Sequence, residues 1–306
     1  EVHARGEPPI LFGLDSTHGA GYVLDATLLP HQLNVGATFS RSLARAFGRI
    51  GAKDTRAAGV PWLFSPVLGL ATHPLWPRVY ETFGEDPLLV AHLGAEVIEG
   101  IQSVEEDPGT GHGDEDTDDG APPCHKDANT SSAACARDVT AGGGASTTQR
   151  VAACAKHFIG YSSPRSGHDR TPVYLSDREL RQYYVPPFVA AIDAGVLTVM
   201  EGYHELNDVP VVTSDKLLSD LLRDSLGFSG VLVTDWAEIS NLHKYHRVAR
   251  TEQEAVLLSI NRTSIDISMV PSDDSFSRLL EKLVSEGQVE EERLDISVAR
   301  VMQLKK

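Results

Sequence analysis

The stretch GVLVTDWAEI, residues 230–239, runs apolar into Thr234, then places Asp235 and Trp236 side by side. An ionised carboxylate at the lip of a core is costly unless it is paired or used. On a rigid strand end such a group can act as nucleophile or base. A helix-capping Asp is an equally open local reading, because the chain turns helical soon afterwards. Trp236 offers an apolar face of the kind on which sugar rings stack. In VAACAKHF (151–158) Lys156 and His157 close an apolar run with two donors suited to hydroxyls. Neighbours in a strand point to opposite faces, so only one of them should face the core unless the strand is ending there. Asp15, in GLDSTHG (13–19), could accept hydrogen bonds from two hydroxyls or serve as a turn residue. Arg78, in WPRVYETFGEDP (76–87), either clamps a polar ligand or pairs with Glu81 or Glu85, and Arg170 in GHDRTP poses the same choice.

The elements that must carry these residues alternate along the chain. Short apolar runs, PILFGLD (9–15), WLFSPVLGL (62–70), VAACAKHF, VLTVM (196–200), GVLVTD (230–235) and SIDISMV (264–270), are separated by amphipathic helical stretches. Asp86-Pro87 reads as an N-cap and N1 proline, with Val90, Leu93, Val97 and Ile101 on one face. Ser176–Glu179 and Thr251–Glu254 read as capping boxes, Ser214 as the cap of DKLLSDLLRDSL, and Gly195 and Gly227 as helix stops. Continuous apolar strands alternating with helices imply a parallel sheet covered on both faces. Polar residues recur at the C-terminal ends of the runs: Asp15, Lys156-His157, then Glu201 and Tyr203, then Asp235-Trp236. Convergence of strand ends on one mouth favours an α/β fold of the (β/α)8 TIM-barrel type over an open doubly wound sheet. Six runs are visible where a closed barrel needs eight, so the barrel is incomplete here unless one strand lies upstream of Glu1 and PVVTS (210–214) supplies another.

Composition narrows the function. The 306 residues carry a net charge of −16, which argues against nucleic acid and anionic membrane surfaces. No apolar run reaches the roughly 20 residues of a membrane span. There is no glycine-rich phosphate loop, and no Gly-x-Ser-x-Gly elbow supports a serine hydrolase. Residues 103–150 hold ten acidic against three basic residues, a triple glycine and no aromatic, and read as a disordered acidic insertion in one barrel domain spanning 1–306. His112, Cys124, His125 and Cys135 match no zinc spacing, so no metal or cofactor is expected. Three cysteines form no disulfide framework, and Asn-x-Ser/Thr triplets at Asn129 and Asn261 are compatible with a secretory route.

The ordered motifs GLDSTHG, ATLLPHQLNVGATFS, PLWPRVYETFGEDPLLV, AKHFIGYSSPRSGHDR, VPPFVAAIDAGVLTVM, LNDVPVVTSDKLLSDLLR and GFSGVLVTDW resemble the N-terminal barrel domain of glycoside hydrolase family 3. SIDISMVPSDDSF and RLDISVARVMQLK are similar to its β-glucosidase and exo-glucosidase branch, and the likeness spans nearly everything outside the insertion. The resemblance implies a retaining glycosidase that removes terminal non-reducing β-D-glucosyl residues from a β-glucoside or oligosaccharide. Asp235 falls where the family has its nucleophile. Asp15, Arg78, Lys156 and His157 fall where it holds the terminal sugar, with Arg170, Tyr203 and Trp236 as further pocket residues. The second carboxylic acid, roughly 5 Å from the first in such mechanisms, is implied to come from a following α/β sandwich domain. His168-Asp169 reverses the Asp-His pair of the family's hexosaminidase branch, and Glu201, Glu205 and Glu238 are the other candidates. A secreted or lysosomal or vacuolar location follows from the same likeness.

Three departures stand out: Pro77 for the usual Gly before Arg78, Asp208 for a turn Gly, and Arg262 in SINRTSIDIS where a small or acidic residue is usual. The alternatives are a barrel that holds a sugar without turning it over, or a β-N-acetylhexosaminidase or β-xylosidase of the same family.

Overall fold

The computed structural model describes residues 10–103 and 150–306. The acidic insertion, the His112/Cys124/His125/Cys135 group, the Asn129 triplet and the start of the first apolar run lie outside them. Among the described residues, the strands are β1 (Gly13–Leu14), β2 (Trp62–Leu63), β3 (Ala152–Phe158), β4 (Thr198–Glu201), β5 (Glu205–Leu206), β6 (Val209–Pro210) and β7 (Val231–Val233). Five of them form one parallel sheet in the order β1-β2-β3-β4-β7, with helices in the connections. Ile267 adds a further parallel bridge to Val233. The sixth apolar run therefore does lie beside the fifth, but as a single bridged residue. Consecutive parallel strands each followed by helix curl into part of a barrel, the architecture anticipated from the runs.

Alternation within the strands explains why they are apolar on both sides. Trp62, Phe64, Ala152, Cys154, Met200 and Val233 pack as one buried cluster, while Leu63, Ala153, Ala155, Val199 and Leu232 belong to the larger helix-facing core. The inner cluster is cross-linked by the Trp62 indole, which donates to Thr198 Oγ1 at 2.8 Å.

Two helices that cover the sheet, α2 (Arg41–Ala57) and α3 (Pro87–Gln102), pack along glycines. They follow the short α1 (Gln32–Ala37). A Cβ on Gly48 would stand 2.3 Å from the Val97 carbonyl oxygen, and one on Gly100 would stand 2.2 Å from that of Arg45. Overpacking there costs about 1–3 kcal/mol against the ~1 kcal/mol that Ala gains in helix propensity, so with backbone as the clashing atom Gly48→Ala should destabilise the fold by up to about 2 kcal/mol net. Urea unfolding measures this; an unchanged midpoint would mean that the helices separate freely.

Local signals hold where side chains can act alone. Asp86 Oδ1 accepts from the Leu88 and Leu89 N–H groups at 2.7 and 3.0 Å, and the Ser176–Glu179 box is complete. Others are corrected. PVVTS is no barrel strand: Val209–Pro210 pairs antiparallel with Glu205–Leu206, and Val211–Thr213 turns as a 3₁₀ helix. Asn207 and Asp208 join that hairpin at positive φ (51° and 67°), conformations that Asn and Asp tolerate. Ser214 caps nothing with its hydroxyl, and the helix 216–225 winds in π-type turns. Thr251 does accept the Glu254 N–H, but the Glu254 carboxylate takes the Arg250 N–H rather than that of Thr251, so only half of the box forms. Arg262 is exposed at the end of the helix Glu252–Arg262, and the Asn261 amide donates to the Gln288 carbonyl.

Candidate active site

The C-terminal ends of the parallel strands deliver their polar residues to one cavity of about 640 Å³, within the ~300–1,000 Å³ range of small-molecule sites. Asp15 follows β1. Arg78 comes from the loop after β2. Lys156 and His157 lie in β3, Arg170 on the loop beyond it, Tyr203 after β4 and Asp235 after β7. Both β3 residues reach the cavity because the strand bulges: Lys156 pairs with Met200 and Phe158 with Glu201, leaving His157 out of register. The alternation rule thus fails at the one place where two adjacent side chains are needed. Pro77 does not divert Arg78, whose guanidinium lines the cavity and meets Glu81 through two 2.7 Å hydrogen bonds.

Asp235 is 7% exposed. Every backbone N–H of its turn is satisfied. Thr234 donates to the Ile267 carbonyl, Asp235 to Glu201 Oε1 at 3.0 Å, Trp236 to Asp235 Oδ1 at 2.7 Å, and Ala237 to the Met269 carbonyl. The helix that follows, Glu238–Lys244, starts at Ala237 in the left-handed region with no side-chain cap, so Asp235 is not a helix cap. Its Oδ1 is committed to Trp236. Oδ2 has no hydrogen-bond partner among the described residues; the nearest basic atom is His157 Nε2 at 3.3 Å, a close contact rather than an aligned bond. Burial pushes the carboxyl up to about 6, against the opposing pull of Lys156, Tyr203, the Trp236 N–H and Arg78. Burial, with Arg78 and Lys156 beside it, holds His157 well below its ordinary value, so the imidazole is neutral at pH 7 and makes no ion pair with Asp235.

The remaining groups are held in pairs. Lys156 Nζ donates to Asp15 Oδ1 at 2.5 Å, and Asp15 is half exposed. The Arg170 guanidinium lies 3.9 Å from the Tyr203 ring centroid, a cation–π stack that fixes both. Trp236 is 54% exposed and lines an adjoining hollow with Asp15, Arg170, Tyr203 and Asp235. All eight predicted residues are therefore gathered, with Trp236 at the rim.

Other residues join them. Asp169, rather than His168, lines the cavity, where its Oδ1 accepts the Tyr161 hydroxyl at 2.5 Å and the Trp76 indole N–H at 3.1 Å. His18 and His31, also lining the cavity, form a tilted ring pair at a centroid distance of 4.0 Å, with Tyr80 edge-on to His31. His18 lies in the GLDSTHG motif and His31 in ATLLPHQLNVGATFS, but no local signal marked either for the cavity. Glu201, Glu205 and Glu238 do not line the cavity. Glu201 is fully buried behind Asp235, while His246 bridges Glu205 (2.8 Å) and Glu238 (2.7 Å). The structure thus brings neither these three nor His168 to the cavity. Among the described residues no cluster of His, Cys, Asp or Glu is arranged to hold a metal, and no helix is long and apolar enough to cross a membrane.

This chain is similar to proteins of known kind. The family description "Glycosyl hydrolase family 3 N terminal domain" matches residues 2–304. The lysosomal beta glucosidase of Dictyostelium discoideum is 42% identical over 298 residues, covering 97% of this chain and 32% of that protein. A beta-xylosidase of Formosa agariphila is 32% identical over 271 residues, 87% of this chain and 32% of that one. Among solved structures, a beta-glucosidase from Listeria innocua in complex with glucose superposes with a TM-score of 0.78 at 30% identity, over 98% of this chain and 36% of the other. The chain thus spans about a third of the length of the relatives it matches. Every residue lining the cavity lies within the matched span, and the chain belongs to glycosyl hydrolase family 3.

Proposed function

We propose that the chain is the barrel domain of a retaining exo-β-glucosidase in which Asp235 attacks the anomeric carbon of a terminal glucosyl unit. The observation that carries this reading is the free, buried Oδ2 of Asp235 in a cavity otherwise lined by groups suited to hydroxyls. Lys156, Asp15, Arg78 and the neutral His157 hold the sugar, and Arg170, Tyr203 and Trp236 close its sides. Hydrogen bonds to hydroxyls that tighten as positive charge develops on the ring lower the barrier. Departure of the aglycone leaves a covalent glycosyl-enzyme, which water then hydrolyses.

The acid that protonates the leaving group is a separate question. The other carboxylates lining the cavity are engaged: Asp15 by Lys156, Glu81 by Arg78, and Asp169 by Tyr161 and Trp76. This favours an acid/base supplied from outside the residues seen here, in keeping with relatives three times as long, and a following α/β domain is the proposed source. The likeness to a lysosomal beta glucosidase supports a lysosomal or secreted location.

A 2-deoxy-2-fluoro-β-glucoside with a dinitrophenolate leaving group tests the reading, because so activated a leaving group needs no acid. The expected result is a stoichiometric adduct on Asp235, located by peptide mass spectrometry. Since only the carboxylate attacks, the labelling rate should fall as pH drops through about 6. Glucose binding with no adduct at any pH would favour the sugar-holding module instead.

A further inference from the structure

We propose that Glu201 is a positioning residue for the Asp235 nucleophile, acting as the acceptor for its backbone N–H; the inference rests on the role of Asp235 given above. Asp235 lies two residues past the end of β7, and Glu201 is the last residue of β4, the neighbouring strand. Within the ladder, strand N–H groups find carbonyls. At Asp235 the ladder has ended, and the side-chain Oε1 of Glu201 takes over at 3.0 Å. A buried N–H needs some acceptor, so this carboxyl fixes the turn from which the nucleophile projects.

Why a Glu should serve here follows from its surroundings. Glu201 has no exposed surface, and its Oε2 has no partner among the described residues. The ionisable groups facing it are Asp235, from the turn after β7, and Glu238, from the first turn of the helix 238–244. Among the described residues no cation pairs with it. Burial first, then these two carboxylates, raise it well above the ordinary carboxylate range, which favours its protonated form. Glu238 is the member of this cluster that keeps its charge partner: its Oε1 meets His246 Nε2 at 2.7 Å and its Oε2 accepts from the Asn241 amide at 2.8 Å. His246 in turn donates to Glu205 Oε1 at 2.8 Å. Burial opposes the His246 charge, but the two carboxylates outweigh it and raise its pKa. Asp235 itself faces Lys156 and His157 from β3, Arg78 from the loop after β2, and Tyr203 after β4. Glu201 therefore braces Asp235 through this bond, and its raised pKa opposes a second negative charge next to a carboxylate that must ionise to attack.

Glu201→Gln keeps the acceptor and is neutral at every pH, whereas Glu201→Leu removes both polar atoms at similar volume. With the fluoroglucoside above, the Gln variant should label near the parent rate with its acid limb at the same pH. The Leu variant, shown to be folded by a cooperative melt, should label about 10- to 100-fold more slowly while binding glucose as the parent does. Exchange of the Asp235 amide proton, followed by NMR, reads the same contact without any turnover: slow in the parent and Gln variant, faster in Leu. A Gln variant as slow as Leu, or with its acid limb moved down, would overturn the proposal by showing that the Glu201 charge acts on Asp235. So would amide exchange that is equal in all three proteins. A parent that is never labelled would instead defeat the role of Asp235, while the amide exchange still decides whether Glu201 braces it.

Discussion

Replacing Asp235 with Asn should abolish adduct formation and at the same time raise the thermal stability of the protein at neutral pH. The first effect follows from chemistry. Oδ1 is occupied by the Trp236 N–H, so the attacking atom is the unpartnered Oδ2, and an amide nitrogen or a neutral carbonyl in its place cannot form the glycosyl ester. Loss of a nucleophile is expected to slow the step on the order of 10³-fold or more. The second effect follows from linkage. Burial raises the folded-state value of this carboxyl from 3.8 to about 6. A raised acid favours the fold while it is protonated; that contribution is complete below the unfolded value and is lost as pH rises through the folded one. At pH 7 the ionised group therefore costs about 3 kcal/mol at most, at 1.36 kcal/mol per pKa unit. Asn is neutral at every pH and can still accept from Trp236. Its melt should stand several degrees above the parent at pH 7, at ~2–4 °C per kcal/mol for a domain of this size, and the gain should vanish near pH 4. Calorimetric scans at the two pH values check it. An Asn variant that labels like the parent, or one less stable than the parent at pH 7, would contradict the assignment of Asp235 as a buried nucleophile that is ionised at a cost.

That a carboxylate at position 235 was conspicuous before any coordinates has a simple cause. A polar residue closing an apolar run marks both the end of a buried strand and, in a parallel sheet, the side on which loops gather. Asp15, the Lys156-His157 pair, Tyr203 and Asp235 all carry that signature. Arg78, Arg170 and Trp236 do not; their local setting left each with an ordinary alternative, and the surrounding motifs' resemblance to a family gave them a pocket role. What stayed hidden depends on tertiary pairing. Glu201 looked like a spare acid, and only the β4–β7 register puts its side chain under the Asp235 N–H. His246 joins Glu205 to Glu238 from a loop that no local pattern connects to either. Asp169 was overshadowed by His168, because sequence order says nothing about which of two neighbours turns inward. PVVTS failed for the opposite reason. Its β-branched residues do suit extended chain, but the Asn207-Asp208 turn just before it spends the strand on a hairpin. Half a capping box at Thr251 shows the same limit on a smaller scale: a Glu at N3 can reach a backbone N–H one residue earlier.

Arg78→Met should damage both stability and sugar binding, and the two losses should separate on a second substitution. The guanidinium and the Glu81 carboxylate meet in a forked pair, 2.7 Å on each arm, with side chains only 19% and 11% exposed. Burial opposes the Arg78 charge and the Glu81 pairing outweighs it, so Arg78 stays protonated at any pH of interest. Removing one partner of such a pair leaves the other buried without compensation, at a cost of about 3–5 kcal/mol. Arg78 also faces Asp235 and draws its carboxyl down. Without that cation, and with the Glu81 charge exposed to the cavity, Asp235 should titrate higher, and the acid limb of labelling should move above the parent's midpoint of about 6. A hydrogen bond from a charged donor to the sugar contributes about 1.5–3 kcal/mol, so glucose binding should weaken by one to two orders of magnitude. The double variant Arg78→Met/Glu81→Leu replaces the buried pair by apolar groups, an exchange that is commonly neutral or stabilising. Its melting point should return toward the parent's, while its glucose affinity should not. Melts and glucose titrations on the parent, single and double variants decide the matter. Restored affinity in the double variant would assign Arg78 to scaffolding alone, and an unperturbed melt in the single variant would mean that Glu81 is satisfied by water rather than by Arg78.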